Sequence, residues 1–277
     1  MNRVRKLRRS SVGHNGKEGP RADALSVLSV EKAFRVLSAF NGEHPSMSLT
    51  QLAATVGLHK SAAQRFTHTL MKMGYLQKDL LTKRFELGVK TLDLGYHYLS
   101  ANLLVQRAMP YLLHLSKATQ ETVNLTVSDD TQVVFIARFM SRQVLSLNTD
   151  VMVGTRMPAY CTAAGIAILS QMPTEQAGDI LKRSELRAYT PHTTWRVKDL
   201  VKKVEISAAQ GYATAFEEFY VGDLSVAAPI LSQNGSPAGA INISVPSARF
   251  SPDEAEKRFS PLVVAAALSV SQRSNPR

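Results

Sequence analysis

The stretch SLTQLAATVGLHKSAAQRFTHTLMKMG, residues 48–74, decides how the rest of the chain is read. Ser48-Leu49-Thr50-Gln51 has the form of a capping box: the Ser48 hydroxyl takes an orphan backbone N–H, and Gln51 reaches back to the Ser48 N–H. Leu49, Leu52, Ala53 and Val56 then fall on one face at helical spacing. Gly57 stands where a left-handed residue ends a helix, with Leu58 as its apolar partner. A second helix begins near His59-Lys60 and stops at Gly74. Ala63, Phe66, Leu70 and Met73 make its inward side, and Lys60, Ser61, Gln64, Arg65, His68 and Lys72 make the other. Two helices joined by a tight glycine turn, the second with a donor-rich face, form a helix–turn–helix pattern.

The flanks extend this pattern. Upstream, Val30, Ala33, Phe34, Leu37 and Phe40 repeat as one helical face, with Ser29 as N-cap and Asn41-Gly42 as the stop. Downstream, 75–78 and 84–87 read as two short strands around a turn that holds Asp79, Thr82 and Lys83. Three helices and a two-stranded ribbon suit a duplex reader. One exposed helix must fit the major groove and carry donors that reach base edges. Gln64 can bond adenine through two atoms, and Arg65 can bond guanine or phosphate. The ribbon offers Lys78, Lys83 and Arg84 to the backbone. With Ser48, Lys60, Ser61 and His68, these residues are the candidate DNA-contacting set.

Charge points the same way. Lys and Arg total 33 and Asp and Glu 22, a net of +11. Residues 1–100 hold 16 basic and 7 acidic residues, a net of +9, so the remainder carries only +2. An excess confined to the first third fits a nucleic-acid-binding part followed by a near-neutral part. A solvated basic surface would carry the same charge. Residues 1–24, with Arg3, Arg5, Lys6, Arg8 and Arg9 followed by Ser, Gly and Pro, read as a disordered basic arm able to follow phosphates.

Residues 89–119 read as a leucine-rich helical linker, interrupted by Pro110 and able to carry a dimer contact. From 122 the texture becomes mixed. Strands are expected at 122–128, 132–140, 144–148, 212–216, 224–231 and 238–245, with Asn234-Gly235 as a hairpin turn. A loop over 153–159 precedes a small-residue helix over 162–171, and further helices are expected over 174–183 and 197–210. Ser251-Pro252-Asp253-Glu254 opens the last helix with N-cap, proline and acidic residue in order.

Four pieces, taken in order, resemble one family. SVEKAFRVLSAFNGEHPSMSLTQLAATVGLHKSAAQRFTHTLMKMGYLQKD with KRFELGVKTLDLG (29–95) is similar to the winged-helix domain of IclR-type bacterial transcriptional regulators. VGTRMPAYCTAAGIAILS (153–170) resembles the effector-pocket loop and helix, and GYATAFEEFYVGDLSVAAPI (211–230) and GAINISV (239–245) resemble later effector-domain strands. The resemblance implies an α+β chain: a winged helix-turn-helix domain over 25–88, a linking helix over 89–119, and a GAF-like α/β effector-binding domain over 120–277. It also implies a homodimer or a dimer of dimers, a double-stranded DNA operator and a small organic acid effector.

Carried over by matching positions, the effector site takes Ala163, Ala164, Gly165, Ser225, Asn242 and Ser244. The residues themselves agree. Bare N–H groups at a helix start favour a carboxylate, and Thr162, Ser225, Asn242 and Ser244 add neutral hydrogen bonds. Alternation puts Ala240, Asn242 and Ser244 on one face and Ile241, Ile243 and Val245 on the other. Tyr160 and Phe216 join the candidate set. Many members carry two aspartates where this chain has Ala215-Phe216, and a lysine at Ile166. These departures make the pocket less polar and lean toward an aromatic or otherwise apolar carboxylate of a catabolic operon. No HExxH, P-loop, GxSxG or GxGxxG is present, and the lone Cys161 reads as packing, so neither an enzyme, a cofactor nor a metal is implied. No apolar run spans a bilayer, and a cytoplasmic setting fits. The rival is a GAF-type ligand-binding or enzymatic protein whose basic N-terminus serves solubility.

Overall fold

The computed structural model describes residues 25–141 and 150–272. The basic arm expected over 1–24 and the strand expected over 144–148 lie outside the described residues. The chain divides into two compact units, Met1–Gly95 and Tyr96–Arg277.

The first unit runs α1 (Leu28–Ser38), β1 (Ser46–Met47), α2 (Leu49–Thr55), α3 (Lys60–Lys72), β2 (Leu76–Lys78) and β3 (Phe85–Leu87), and ends within α4 (Thr91–Ala101). Ser48 and Gln51 make the capping box: Gln51 N donates to Ser48 Oγ (3.3 Å) and Ser48 N to Gln51 Oε1 (3.0 Å). Gly57 and Gly74 adopt φ of +65° and +84°. The next residues close back onto their helices, Leu58 N to Ala53 O and Tyr75 N to Leu70 O, both at 2.9 Å. These are Schellman closures, and they fix the angles at which α3 and the ribbon leave. The ribbon gains a third strand that the sequence did not announce: β1 pairs with β3, Met47 opposite Phe85. Val36, Phe40, Met47, Leu52, Val56, Leu70, Leu76 and Phe85 form the core. Two expectations about inward faces are corrected. Val30, Phe34 and Met73 are at least half exposed, while Val36 and Thr67 are buried in their place. The three exposed residues line an apolar groove with Leu37, Tyr75 and Leu94.

The second unit is built on an antiparallel six-stranded sheet ordered β6-β5-β4-β9-β8-β7. Its strands are β4 (Thr122–Asp129), β5 (Gln132–Phe139), β6 (Arg156–Pro158), β7 (Ala213–Phe216), β8 (Asp223–Leu231) and β9 (Pro237–Pro246). β6 occupies part of the segment expected as a loop and pairs with β5, Val134 opposite Arg156. Its helices are α5 (Leu103–Thr119), α6 (Ala163–Leu169), α7 (Thr174–Arg183), α8 (Val197–Gln210) and α9 (Pro252–Val270).

One face of the sheet packs under α5 and α9, with Leu125, Ile136, Val226, Ile241 and Ile243 meeting Leu112 and Phe259. The other packs under α6 and α8, with Phe135, Ala215 and Ala240 meeting Ile166, Ile168 and Leu200. The stretch 89–119 is therefore two helices, of which the second belongs to this core. The break falls at Asn102, whose side chain accepts from Leu104 N and Val105 N, and α5 continues through Pro110. A bulge interrupts the β4–β5 ladder: Leu125 pairs with Ala137 but Thr126 pairs with Phe135, leaving Ile136 as the extra residue.

Candidate functional site

In the first unit, burying Ala63, Thr67 and Leu70 leaves Lys60, Ser61, Gln64, Arg65 and His68 exposed along one side of α3. Gln64, Arg65 and His68 form one wall of a groove whose other wall is the ribbon, through Lys78 and Phe85. Lys78 Nζ lies 5.1 Å from the Phe85 ring centroid, so its charge is held near that wall. Lys83 is exposed at the ribbon turn with φ of +61°. Arg84 is half-buried, and its guanidinium donates to Ser46 through Nε to Oγ (2.9 Å) and Nη2 to the carbonyl (2.6 Å). It thereby ties β3 to β1 instead of extending toward solvent. The Ser48 oxygen accepts the capping N–H at the start of α2.

In the second unit, a cleft of about 490 Å³ of atom-free space, counting its mouth, opens between the sheet and the start of α6. The floor is a polar row across four adjacent strands, β5, β4, β9 and β8. Arg138 pairs with Asn124 and Asn124 with Asn242 in the ladders, and Ser225 lies opposite Ser244. Arg138 Nη1 donates to Asn124 Oδ1 (2.8 Å). Asn242 Nδ2 donates to Ser225 Oγ (3.0 Å), while the buried Asn242 Oδ1 meets no donor among the described residues. Ser244 donates to Asp223. Phe135 and Met157, on β5 and β6, continue the lining at one end of the sheet, and Cys161, Phe219 and Tyr220 complete it.

The electrostatics are mixed. Burial pulls the Arg138 pKa below the usual guanidinium range, and the charges of Asp223 and Asp150 oppose that shift. Tyr220 donates to Asp150 (3.2 Å) and has its pKa pushed up to about 12, chiefly by burial. Burial likewise pushes the Cys161 thiol up to about 12. Glu218, also on the wall, is paired with Lys203.

Of the effector set expected from sequence, Thr162, Ala163, Ala164, Ser225, Asn242 and Ser244 line this cleft. Three others do not. Tyr160 is buried with its hydroxyl donating to Arg187 O (2.8 Å) and accepting from Arg187 N (3.0 Å). Gly165 packs against the Ala159 backbone, where a Cβ would collide, and its N–H caps onto Thr162 Oγ1 (3.2 Å). Phe216 packs with the α5–α9 layer, because alternation along β7 turns Ala215 toward the cleft instead. Arg138, Asn124, Tyr220 and Asp223 were missed. For Arg138 one signal was available, a lone cation in the apolar run VVFIARF.

Two family models match the chain. The IclR helix-turn-helix domain covers residues 29–80, and the bacterial transcriptional regulator IclR C-terminal domain covers 96–272. The chain is 31% identical over 240 residues to the Pca regulon regulatory protein of Pseudomonas putida, covering 87% of this chain and 81% of that protein. A transcriptional regulator from Rhodococcus sp. RHA1 aligns in structure with a TM-score of 0.78 at 28% identity, over 89% of this chain and 98% of that one. An IclR homolog from Microbacterium hydrocarbonoxydans, solved with 4-hydroxybenzoate, shares the fold with a TM-score of 0.74 at 20% identity, over 88% and 97% of the two chains.

Proposed function

The chain belongs to the IclR family of bacterial transcriptional regulators, with a DNA-binding helix-turn-helix domain and an effector-binding C-terminal domain, and from that premise we propose that its effector is an aromatic monocarboxylate bound in the cleft beneath α6. The observation that carries this reading is Arg138, a cation on the floor of a cleft whose walls include Phe135, Phe219 and Tyr220. A guanidinium takes a carboxylate through two parallel hydrogen bonds, and partial burial strengthens them. Asn124, Asn242, Ser225 and Ser244 supply further neutral partners, and the open Asn242 Oδ1 suits a ligand hydroxyl. The ring would lie among the aromatic walls.

The DNA-facing residues are Lys60, Ser61, Gln64, Arg65 and His68 at base edges and nearby phosphates, with Lys78 and Lys83 on the backbone. Arg84, already engaged with Ser46, plays a bracing part. The partner is a second copy of the chain. α4 buries none of its side chains, and Leu92, Leu94, Tyr96 and Tyr98 stand exposed on it. A helix gains most of its stability from packing an apolar face, so such a helix calls for a cover. Two copies then place two α3 helices in successive major grooves of a near-palindromic operator in the cytoplasm.

The enzymatic rival is disfavoured by Cys161. It is the thiol on the cleft wall, and burial keeps it protonated rather than activated. Calorimetric titration tests the proposal. Benzoate and 4-hydroxybenzoate should bind the full chain, and Arg138→Gln should weaken them by about tenfold or more. Tighter binding of glyoxylate or pyruvate, or indifference to Arg138→Gln, contradicts the assignment.

A further inference from the structure

The turn of the ribbon presents two adjacent leucines to solvent, Leu80 at 81% and Leu81 at 93% of full exposure. They are not on a floppy loop. Asp79 Oδ1 accepts from Leu81 N (2.8 Å) and Thr82 N (2.6 Å). Asp79 O accepts from Lys83 N (3.0 Å), and Asp79 N donates to Arg84 O (2.9 Å). Arg84 in turn anchors the ribbon to β1 through Ser46. The tip is thus braced at its root and closed across its neck, so little entropy is lost if it docks. Lys78 and Lys83 stand exposed on either side, and the one acidic group between them, Asp79, has its carboxylate turned onto the N–H groups of the turn itself.

An apolar tip between two lysines matches few surfaces. An apolar protein patch would strip water from both ammonium groups without pairing them. A duplex minor groove offers two phosphate rails for the lysines and, between them, base steps whose stacked interior is apolar. The position is right as well. The ribbon and α3 wall one groove through Lys78 and Phe85, so a duplex whose major groove takes α3 would run beside the ribbon, with the adjoining minor groove the surface open to its tip. We propose that Leu80 and Leu81 form a wedge that the wing inserts into this minor groove, parting a base step and bending the duplex. The wedge adds a selection that no base contact makes: pyrimidine–purine steps, which unstack most readily, are favoured at that flank. This inference rests on the DNA-binding reading of α3.

The test uses the full chain and a duplex that it selects from a library of random 30-base-pair duplexes, labelled at both ends for energy transfer. The parent should bend that duplex by roughly 20–90°. Leu80→Ser with Leu81→Ser should abolish the bend and cost about tenfold in affinity. The selected pool should lose its flanking pyrimidine–purine step. Both side chains lie in solvent, so folding is unaffected. Leu80→Lys with Leu81→Lys should bind the phosphates more tightly and still fail to bend. A bend that survives either pair of changes overturns the wedge, as does a fall in the protein's own assembly mass, which would make the leucines a protein contact. If the parent selects no duplex, the reading of α3 fails and the wedge with it. If the parent bends its duplex and the serine pair matches it, only the wedge fails.

Discussion

Cys161, Tyr160 and Tyr220 share one property: each holds its proton more firmly folded than unfolded. Burial is the largest cause for all three, and their pKa values rise from 9.0 for the thiol and 10.0 for the phenols to about 12. A raised value on an acid means that the folded state binds protons which the unfolded state has already lost. The stabilisation is therefore complete below about pH 9, where both states are protonated, and drains away as pH climbs toward 12. Urea midpoints should stay level from pH 7 to 9 and fall beyond it, and Cys161→Ala should make that fall shallower. Midpoints that stay level up to pH 11.5 would mean that these groups are hydrated after all. The same protonation predicts that Cys161 resists alkylation at pH 8 until the fold opens.

At the scale of elements, what could be read in advance followed from local rules. The capping boxes at Ser48 and Ser251, the glycine closures after α2 and α3, and the alternation that turns Asn242 and Ser244 from Ile243 and Val245 each depend on a few neighbouring residues. What escaped depends on a partner strand or helix. Strict alternation along β5 would group Arg138 with Val134 and Ile136, under α5 and α9. The extra residue Ile136 resets the phase, so Arg138 shares the cleft face with Phe135. No pattern within 132–140 marks where that slip falls, because it is set by pairing with Leu125 and Thr126. Phe216 failed for the converse reason, since β7 keeps its alternation and Ala215 takes the cleft side. Met73 and Phe34 were read as core because periodicity detects an apolar face, not what covers it. Gly165 shows how tightly elements can be joined here. A Cβ at that position would strike the Ala159 backbone, which is not free to yield. Gly165→Ala should cost about 1–3 kcal/mol by overpacking, read as a lower denaturation midpoint. An unchanged midpoint would show that the turn before α6 relaxes freely.

For the whole molecule, the question is how occupancy of a cleft in one unit reaches a helix in the other. α4 spans the division between the units at Gly95 and Tyr96, and four of its apolar side chains, Leu92, Leu94, Tyr96 and Tyr98, stand exposed. A second copy gripping α4 would make it a shared element whose position both units can bias. Linkage then imposes a strict condition. If the aromatic acid changes duplex affinity by some factor, duplex must change acid affinity by the same factor, and for coupled sites this is typically about 5–150-fold. Sedimentation should give a mass at least twice that of one chain. Titrating the selected duplex with and without saturating 4-hydroxybenzoate, then the acid with and without duplex, should return matching factors. A single-chain mass would remove the shared element. A factor of one in both directions would show that the acid, however tightly it binds, interacts equally with both states of the regulator and so cannot shift them.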